Sequence, residues 1–462
     1  MKKEIRRLTF VTIIFFSILI IYLTYIQGII GNKLYLNSLN PRLALVEQET
    51  KRGIIYDRNG KVLADNVLVG DRFERQYPYG PSTALVVGYL SDRFGSSGLE
   101  ANYKEELLGL TGWQRVRNTL RRLTEKPVQG NNLALTIDAD LQRLSTNLLG
   151  ERRGAVVALD PRTGEVLALA SSPNFDPNKL EQEWSWINSP KAGSPLLNRA
   201  TQGLYPAGSI MKIITATMAL EEDLNISDYE FYCSGFIEIN GRRLTCPRPH
   251  GEVNFNEAMM YSCNVTFANL ALKFGVDKFK ETAEHYGFGK KIEFDLPLKK
   301  SQATTNKMNA NALAESAIGQ GPVLVTPLQM AMVVGSLAMD GVMMQPYLVK
   351  NITNPEGKLI WKARPRPYQI VTRKDVAQKI KEAMIATVNE GTATAAALPN
   401  IKVAAKTGSA QNPHGKAHAW LIAFAPAEDP EIAVAVIVEN GGSGGVAAAP
   451  IARQVMAAAL RR

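Results

Sequence analysis

From Leu8 to Asn32 the chain runs 25 residues without a charge, long enough to cross a bilayer as a helix. Beyond it, short apolar stretches alternate with polar turns. Ile54-Ile55-Tyr56 and Lys61-Val62-Leu63 flank Arg58-Asn59-Gly60, and Asn-Gly readily supplies the positive φ angles of a type I′ turn, which predicts a hairpin. Residues 155–160 and 165–170, apolar apart from Asp160 and Glu165, flank Pro161-Arg-Thr-Gly164 and predict a second hairpin. Helical spacing marks 209–220 and 328–338, apolar strands are expected at 402–405, 419–424 and 431–438, and a closing helix at 450–460.

Strands from both ends of one region with helices between them predict an α+β fold whose sheet is closed by distant segments. Residues 125–132, with Pro127 and Gly130, read as a linker. The expected division is a tail at 1–7, a transmembrane helix at 8–32, a small strand-rich pedestal at 33–130 and a larger domain at 131–462. That larger domain should combine a mainly antiparallel sheet with a helical subdomain. Lys2, Lys3, Arg6 and Arg7 precede the apolar run, which puts the tail in the cytoplasm and everything after Lys33 outside. A signal peptide is the rival reading; the run is too long for its apolar region, and no small-x-small site closes it.

A length of 462 residues suits two domains, and 45% hydrophobic with 21% charged residues is ordinary for a globular chain. The net charge of +10 comes from scattered Lys and Arg with no aromatic-basic interleaving, so nucleic acid is not expected as a partner. Two readings of that charge stay open: a solvated surface, or mild attraction to anionic polymers or lipid headgroups.

The candidate chemistry lies in three motifs: Ser209-Ile-Met-Lys212, Ser262-Cys-Asn264 and Lys406-Thr407-Gly408. Alone, each is weak; S-x-N also matches Ser38-Leu-Asn40, Ser145-Thr-Asn147 and Ser172-Pro-Asn174. Order and context select Ser262. Pro206-Ala-Gly208 leads into a helix on which Ser209 and Lys212, three apart, share a face. Burial and the positive helix end both disfavour the charged lysine, so Lys212 is expected to serve as base for a Ser209 nucleophile. Lys406, following an apolar strand, adds a cationic anchor for a carboxylate. A helix cap at Ser209 with a snorkelling Lys212 is the bland alternative.

These motifs resemble those of the penicilloyl-serine transferases, and in particular class B penicillin-binding proteins. Arg52-Gly-Ile-Ile-Tyr-Asp-Arg-Asn-Gly60 with Leu63-Ala64, Gly98-Leu-Glu100, Thr136-Ile-Asp138, 154–160 and Gly319-Gln-Gly321 extend the resemblance over nearly the whole chain. The resemblance implies a monofunctional peptidoglycan D,D-transpeptidase acting on stem peptides through an acyl-serine, stalled by β-lactams, with no cofactor for catalysis. It implies that Ser262 relays a proton, that Asn264 bonds the substrate's amide backbone and that Lys406 and Thr407 bind the terminal carboxylate. Gly408 would leave room for a substrate strand, and the N–H groups of Ser209 and Ser409 would form the oxyanion hole. A membrane glycan polymerase and other wall-synthesis proteins are the expected partners. A carboxypeptidase or β-lactamase shares the motifs, although no glutamate can be assigned as a deacylating base; a scaffold that activates the polymerase is the non-enzymatic alternative.

Cys233, Cys246, His250 and Cys263 form a C-x12-C-x3-H-x12-C series. Three readings stand: a closed structural Cys3His zinc site, a Cys233–Cys246 disulfide beside a buried Cys263 thiol, or three inert thiols. His285, His414 and His418 are expected on the surface or in loops.

Overall fold

The computed structural model describes residues 2–30, 46–47, 49–70, 72–124, 128–305, 307–413 and 415–461. The end of the expected span at 31–32, the start of the pedestal at 33–45, residues 125–127 of the expected linker and His414 lie outside the described residues. Helix α1 (Lys2–Tyr25) has no buried residue and is the one helix among the described residues long and apolar enough to cross a membrane.

The chain continues through strands β1 (Ile55–Tyr56), β2 (Val62–Val69) and β3 (Arg72–Gln76), helix α2 (Gly112–Leu123), strand β4 (Asn132–Leu135) and helix α3 (Ala139–Leu149). Hairpin strands β5 (Gly154–Leu159) and β6 (Val166–Ser172) precede helix α4 (Lys212–Glu222). Four short strands follow, β7 (Glu230–Cys233), β8 (Phe236–Ile239), β9 (Arg242–Thr245) and β10 (Gly251–Asn254), then helices α5 (Phe255–Met260), α6 (Asn264–His285) and α7 (Pro327–Ala338). Strands β11 (Val349–Thr353) and β12 (Leu359–Lys362), helix α8 (Lys374–Asn389), strands β13 (Ala404–Ala410), β14 (His418–Ala425) and β15 (Ile432–Val438), and helix α9 (Ala449–Ala459) complete the fold.

The central sheet has the order β6-β5-β15-β14-β13, antiparallel throughout, so its middle joins strands more than 270 positions apart in sequence, as in the pairing Val156↔Val436. Side chains alternate between its faces. Val157, Ala435, Ile422 and Phe424 enter one core with Met330, Val333, Val334 and Leu337 of α7. Val156, Val434, Val436 and Leu421 enter the other with Leu141 of α3 and Ile451 and Val455 of α9. Helices on both faces explain why these strands read as unbroken apolar runs, and each buried Val, Ile or Leu contributes about 1.5–3 kcal/mol. β13 is one of the sheet's two edge strands, β6 the other. β13 starts at Ala404 and runs through the Lys-Thr-Gly to Ala410, so that motif lies within the strand and not after it.

A second, six-stranded sheet, ordered β12-β11-β4-β1-β2-β3, draws strands from both sides of residue 130. The linker expectation is therefore corrected: Val128-Gln129 pairs in parallel with Thr50-Lys51, and Asn132 opens β4. The β1–β2 turn is also not type I′. Gly60 alone adopts positive φ (+84°), while Asp57 Oδ1 accepts from Asn59 N and Lys61 N, each at 2.8 Å.

The resemblance motifs around Arg52 and Glu100 meet inside this unit. Arg52 Nε lies 2.5 Å from Glu100 Oε2 and Arg75 Nε 2.7 Å from Oε1, with Glu100 fully buried. Burial alone would raise the Glu100 carboxyl, but Arg75 and Arg52 outweigh it and hold it below the usual carboxylate range. A depressed folded value contributes stability present above the unfolded carboxyl pKa and lost as pH falls through the folded one. Glu100→Gln should therefore cost about 3–5 kcal/mol by leaving buried guanidinium charge uncompensated, and should flatten the acid limb of the stability curve below about pH 4; denaturant unfolding across pH checks both.

Candidate active site

Gly208–Met211 forms a 3-10 turn that runs directly into α4 at Lys212. In a 3-10 turn residues three apart eclipse, so Ser209 and Lys212 stack more closely than an α-helix would place them. Two glycines seat the turn. Gly208 has φ +58° and its N–H donates to Gly319 O at 2.8 Å. Gly319 has φ +73°, and a Cβ there would lie 2.1 Å from Gly208 O. The Gly-Gln-Gly motif is thus a backrest for the serine turn.

Lys212 Nζ has four oxygen neighbours: Ser262 O at 2.6 Å, Asn264 Oδ1 at 2.7 Å, Ser262 Oγ at 3.0 Å and Ser209 Oγ at 3.1 Å. The two shortest are to a carbonyl and an amide oxygen, which only accept. A neutral amine can give its two protons to these oxygens and turn its lone pair to a hydroxyl. Complete burial of the side chain points the same way, lowering Lys212 to about 7 against a smaller opposing pull from Cys246 and Cys263.

Lys406, also fully buried, reaches Ser262 Oγ at 2.9 Å. Burial, then the nearby Lys212, hold it well below the ordinary lysine value. Ser262 Oγ therefore bridges two amines, on a residue with φ +58°, a conformation uncommon outside glycine. Thr407 Oγ1 bonds Thr392 Oγ1 at 2.6 Å. Gly408 packs closely on the serine turn: a Cβ would lie 3.1 Å from Ala207 O and 3.2 Å from the Ile210 side chain. A Cβ on Gly208 would likewise sit 2.9 Å from Ser409 O, which brings the Ser209 and Ser409 backbones side by side. Asn264 Oδ1 accepts from Lys212 at 2.7 Å and its Nδ2 donates to Thr245 O at 2.7 Å.

The four metal-ligand candidates converge: Cys233, Cys246, His250 and Cys263 have ligand atoms all within 4.8 Å of one another. Sγ separations are 3.6 Å for Cys233–Cys246 and 3.7 Å for Cys246–Cys263, close to the roughly 3.8 Å edge of a tetrahedron with Zn–S near 2.3 Å. Neither distance singles out one pair for a disulfide, and the donor set fits a closed zinc site. The cluster is wired to the motif beside it. Cys246 Sγ accepts from Asn264 N at 3.0 Å, and Cys263 caps α6 by accepting from Thr266 N.

The cleft in front of Ser209 has a volume of about 770 Å³ and is lined by Ser262, Asn264, Thr407, Ser409 and the β8–β9 arginines Arg242 and Arg243. Thr392, Thr245 and those arginines were missed by sequence reasoning, because no spacing links them to the motifs. Glu315, at the rim, faces Arg242 at 4.0 Å. His285 ends α6 away from the cleft lining. His418 opens β14 and accepts from Asn440 N at 3.1 Å, so it is a strand residue and not a loop one.

An edge strand carrying a lysine beside a serine-lysine turn, with an S-x-N loop opposite, defines an acyl-serine transferase site. The family description "Penicillin binding protein transpeptidase domain" matches residues 154–457, and "Penicillin binding protein A dimerisation domain" matches 52–133. Peptidoglycan D,D-transpeptidase PbpA of Mycolicibacterium smegmatis is 34% identical, covering 100% of this chain and 99% of that one. Peptidoglycan D,D-transpeptidase MrdA of Acinetobacter baumannii is 32% identical over 88% of this chain and 69% of its own length. A ceftriaxone acyl-enzyme complex of penicillin-binding protein A from M. tuberculosis superposes with a TM-score of 0.86 at 33% identity, covering 90% of this chain and 100% of that structure. The chain belongs to the penicillin-binding protein transpeptidase family, as a class B member.

With Lys212 as the expected base for Ser209, the rate of Ser209 acylation should rise with pH around about 7 and level off above. Lys212→Ala should lose about 10²–10⁴-fold and the pH dependence with it; intact-mass kinetics read both.

Proposed function

We propose that this D,D-transpeptidase works through an acyl-enzyme on Ser209, with Lys212 as base. The observation that carries this is the placement of Lys212: a fully buried amine whose Nζ lies 3.1 Å from Ser209 Oγ and 3.0 Å from Ser262 Oγ. Ser209 Oγ attacks the carbonyl of the D-Ala-D-Ala bond of a wall stem peptide as its proton passes to Lys212. The N–H groups of Ser209 and Ser409 take up the charge of the tetrahedral oxygen. Collapse breaks the C–N bond, and Ser262 Oγ, held between two amines, passes a proton to the departing D-Ala nitrogen. An amine of a second stem then attacks the acyl-serine by the reverse proton path and closes the cross-link.

Lys406 and Thr407 hold the terminal carboxylate of the donor. Since burial disfavours a charged Lys406 in the empty site, an arriving carboxylate restores the charge it needs, and substrate binding is coupled to proton uptake. A β-lactam, which presents a strained amide and a carboxylate in the same relation, acylates Ser209 and blocks the second attack.

Cys233, Cys246, His250 and Cys263 hold a structural zinc ion in this reading, supported by their convergence. Zinc takes no part in a bond-making step; it ties β7, β9 and the start of α6 together and so fixes Asn264. The basic residues ahead of α1 support an orientation with the N-terminus in the cytoplasm and the cleft outside, and in this reading α1 is the part that meets a membrane glycan polymerase.

Incubation with penicillin should add one acyl group, located by peptide mapping to the segment holding Ser209, and Ser209→Ala should abolish it. Cross-linked dimers among products from lipid-linked substrate support transfer; shortened monomers alone would mean hydrolysis. Metal analysis of purified protein should find about one zinc per chain. Less than about a tenth of an equivalent would remove the zinc reading, and Cys246→Ser should lower both metal content and melting temperature.

A further inference from the structure

Helix α2 is packed inside out. Gln114 and Asn118 are 5% and 1% exposed, and their amides are used inward: Gln114 Nε2 donates to Asn118 Oδ1 at 3.1 Å, and Asn118 Nδ2 to Gln129 O at 2.9 Å and Gly109 O at 3.2 Å. The apolar stripe faces solvent instead. Trp113 is 84% exposed, Leu120 59% and Val116 45%, at the i, i+3, i+7 spacing of one helical face. A helix that buries amides and exposes tryptophan needs an apolar phase on its outer side.

Three further observations say which phase. First, α2 carries Arg115, Arg117, Arg121 and Arg122 and no acidic residue, the pattern of a helix lying in a lipid interface. Second, Glu356, in the β11–β12 turn, pairs with Arg117 at 2.8 Å and Arg121 at 3.5 Å, which fixes that hairpin to α2. Its strand β12 exposes Leu359, Ile360 and Trp361 at 45–53% between Lys358 and Lys362. Tryptophan beside Lys and Arg is the composition of a membrane-water boundary. Third, the patch stands where the tethered chain joins the folded part: Val46 packs on Leu108 and Leu110, immediately before α2. From Ile30 to Val46 the chain can reach no more than about 55 Å, so this end of the molecule stays near the bilayer.

We propose that α2 and β12 form a docking surface for the outer leaflet of the membrane holding α1, with Trp113, Val116, Leu120 and Trp361 in the interfacial layer and Arg115, Lys358 and Lys362 on anionic headgroups. It rests on the reading of α1 as a membrane anchor. The chain is then held at two points, and the cleft keeps a fixed height and tilt above the bilayer. A symmetric second copy is disfavoured as the occupant, because it would set arginine rim against arginine rim.

The test uses the full chain in nanodiscs, with tryptophan emission quenched by lipids brominated near the carbonyl end of their acyl chains. In discs rich in phosphatidylglycerol, quenching is expected, and Trp113→Phe should remove about half of it, Trp361 supplying the rest. Leu120→Glu, or a purely phosphatidylcholine disc, should reduce quenching several-fold. Equal quenching in the parent and Trp113→Phe overturns the proposal, as does quenching indifferent to lipid charge. Two chains per disc with Trp113 shielded from bromine overturn it in favour of self-association, and shielding only after a polymerase is added overturns it in favour of a protein partner. Labelling by a fluorescent penicillin, read in the same discs, should be unchanged in both variants. Its failure in the parent would sink the Ser209 acylation reading and leave the docking result standing.

Discussion

In the proposed mechanism the site depends on keeping one buried lysine, Lys212, uncharged. An ammonium at Lys212 would satisfy its neighbours equally well as a donor, but it could not take the serine's proton. Burial lowers the cost of the neutral form, and the two acceptor-only oxygens of Ser262 and Asn264 use up the amine's protons, so the remaining lone pair can point only at hydroxyls. The second buried amine, Lys406, strengthens the same preference, because two positive charges sharing Ser262 Oγ would repel in a medium that screens poorly.

Rigidity around that amine comes from backbone packing more than from side chains. The serine turn is wedged between Gly319 and Gly408, each lacking the Cβ that would push it aside, and the edge strand β13 is held by β14 along its whole length. On the opposite wall, the cysteine-histidine cluster accepts the first N–H of α6 and so sets where Asn264 begins. Site geometry is thus shared among a sheet edge, a 3-10 turn and a side-chain cluster, each built from a different part of the chain.

The second sheet plays a mechanical part. By pairing β1 with β4 and adding β11 and β12 from far downstream, it ties the membrane-proximal unit to the catalytic one through a continuous hydrogen-bonded ladder. Arg52, Arg75 and Glu100 lock the helical side of that unit with a fully buried charge cluster. Such a joint transmits orientation from one unit to the other.

Hydrophobic periodicity and three short motifs were enough to read the apolar helix, the hairpin β5–β6, the late strands, the closing helix and the residues Ser209, Lys212, Ser262, Asn264, Lys406 and Thr407 from sequence, because each depends on local spacing. Residues whose roles arise from approach across the fold were not legible: Thr392 beside Thr407, Thr245 under Asn264, the arginines of β8–β9. The linker expectation failed for the same reason, since Pro127 and Gly130 signal a local turn while the pairing of Val128 with Thr50 is non-local. Sequence determined the chemistry available, through residue type and order. Tertiary structure alone decided which oxygens surround the lysines of that chemistry and the side of α2 that faces outward, because burial and hydrogen-bond partners belong to the packed chain and not to any window of it.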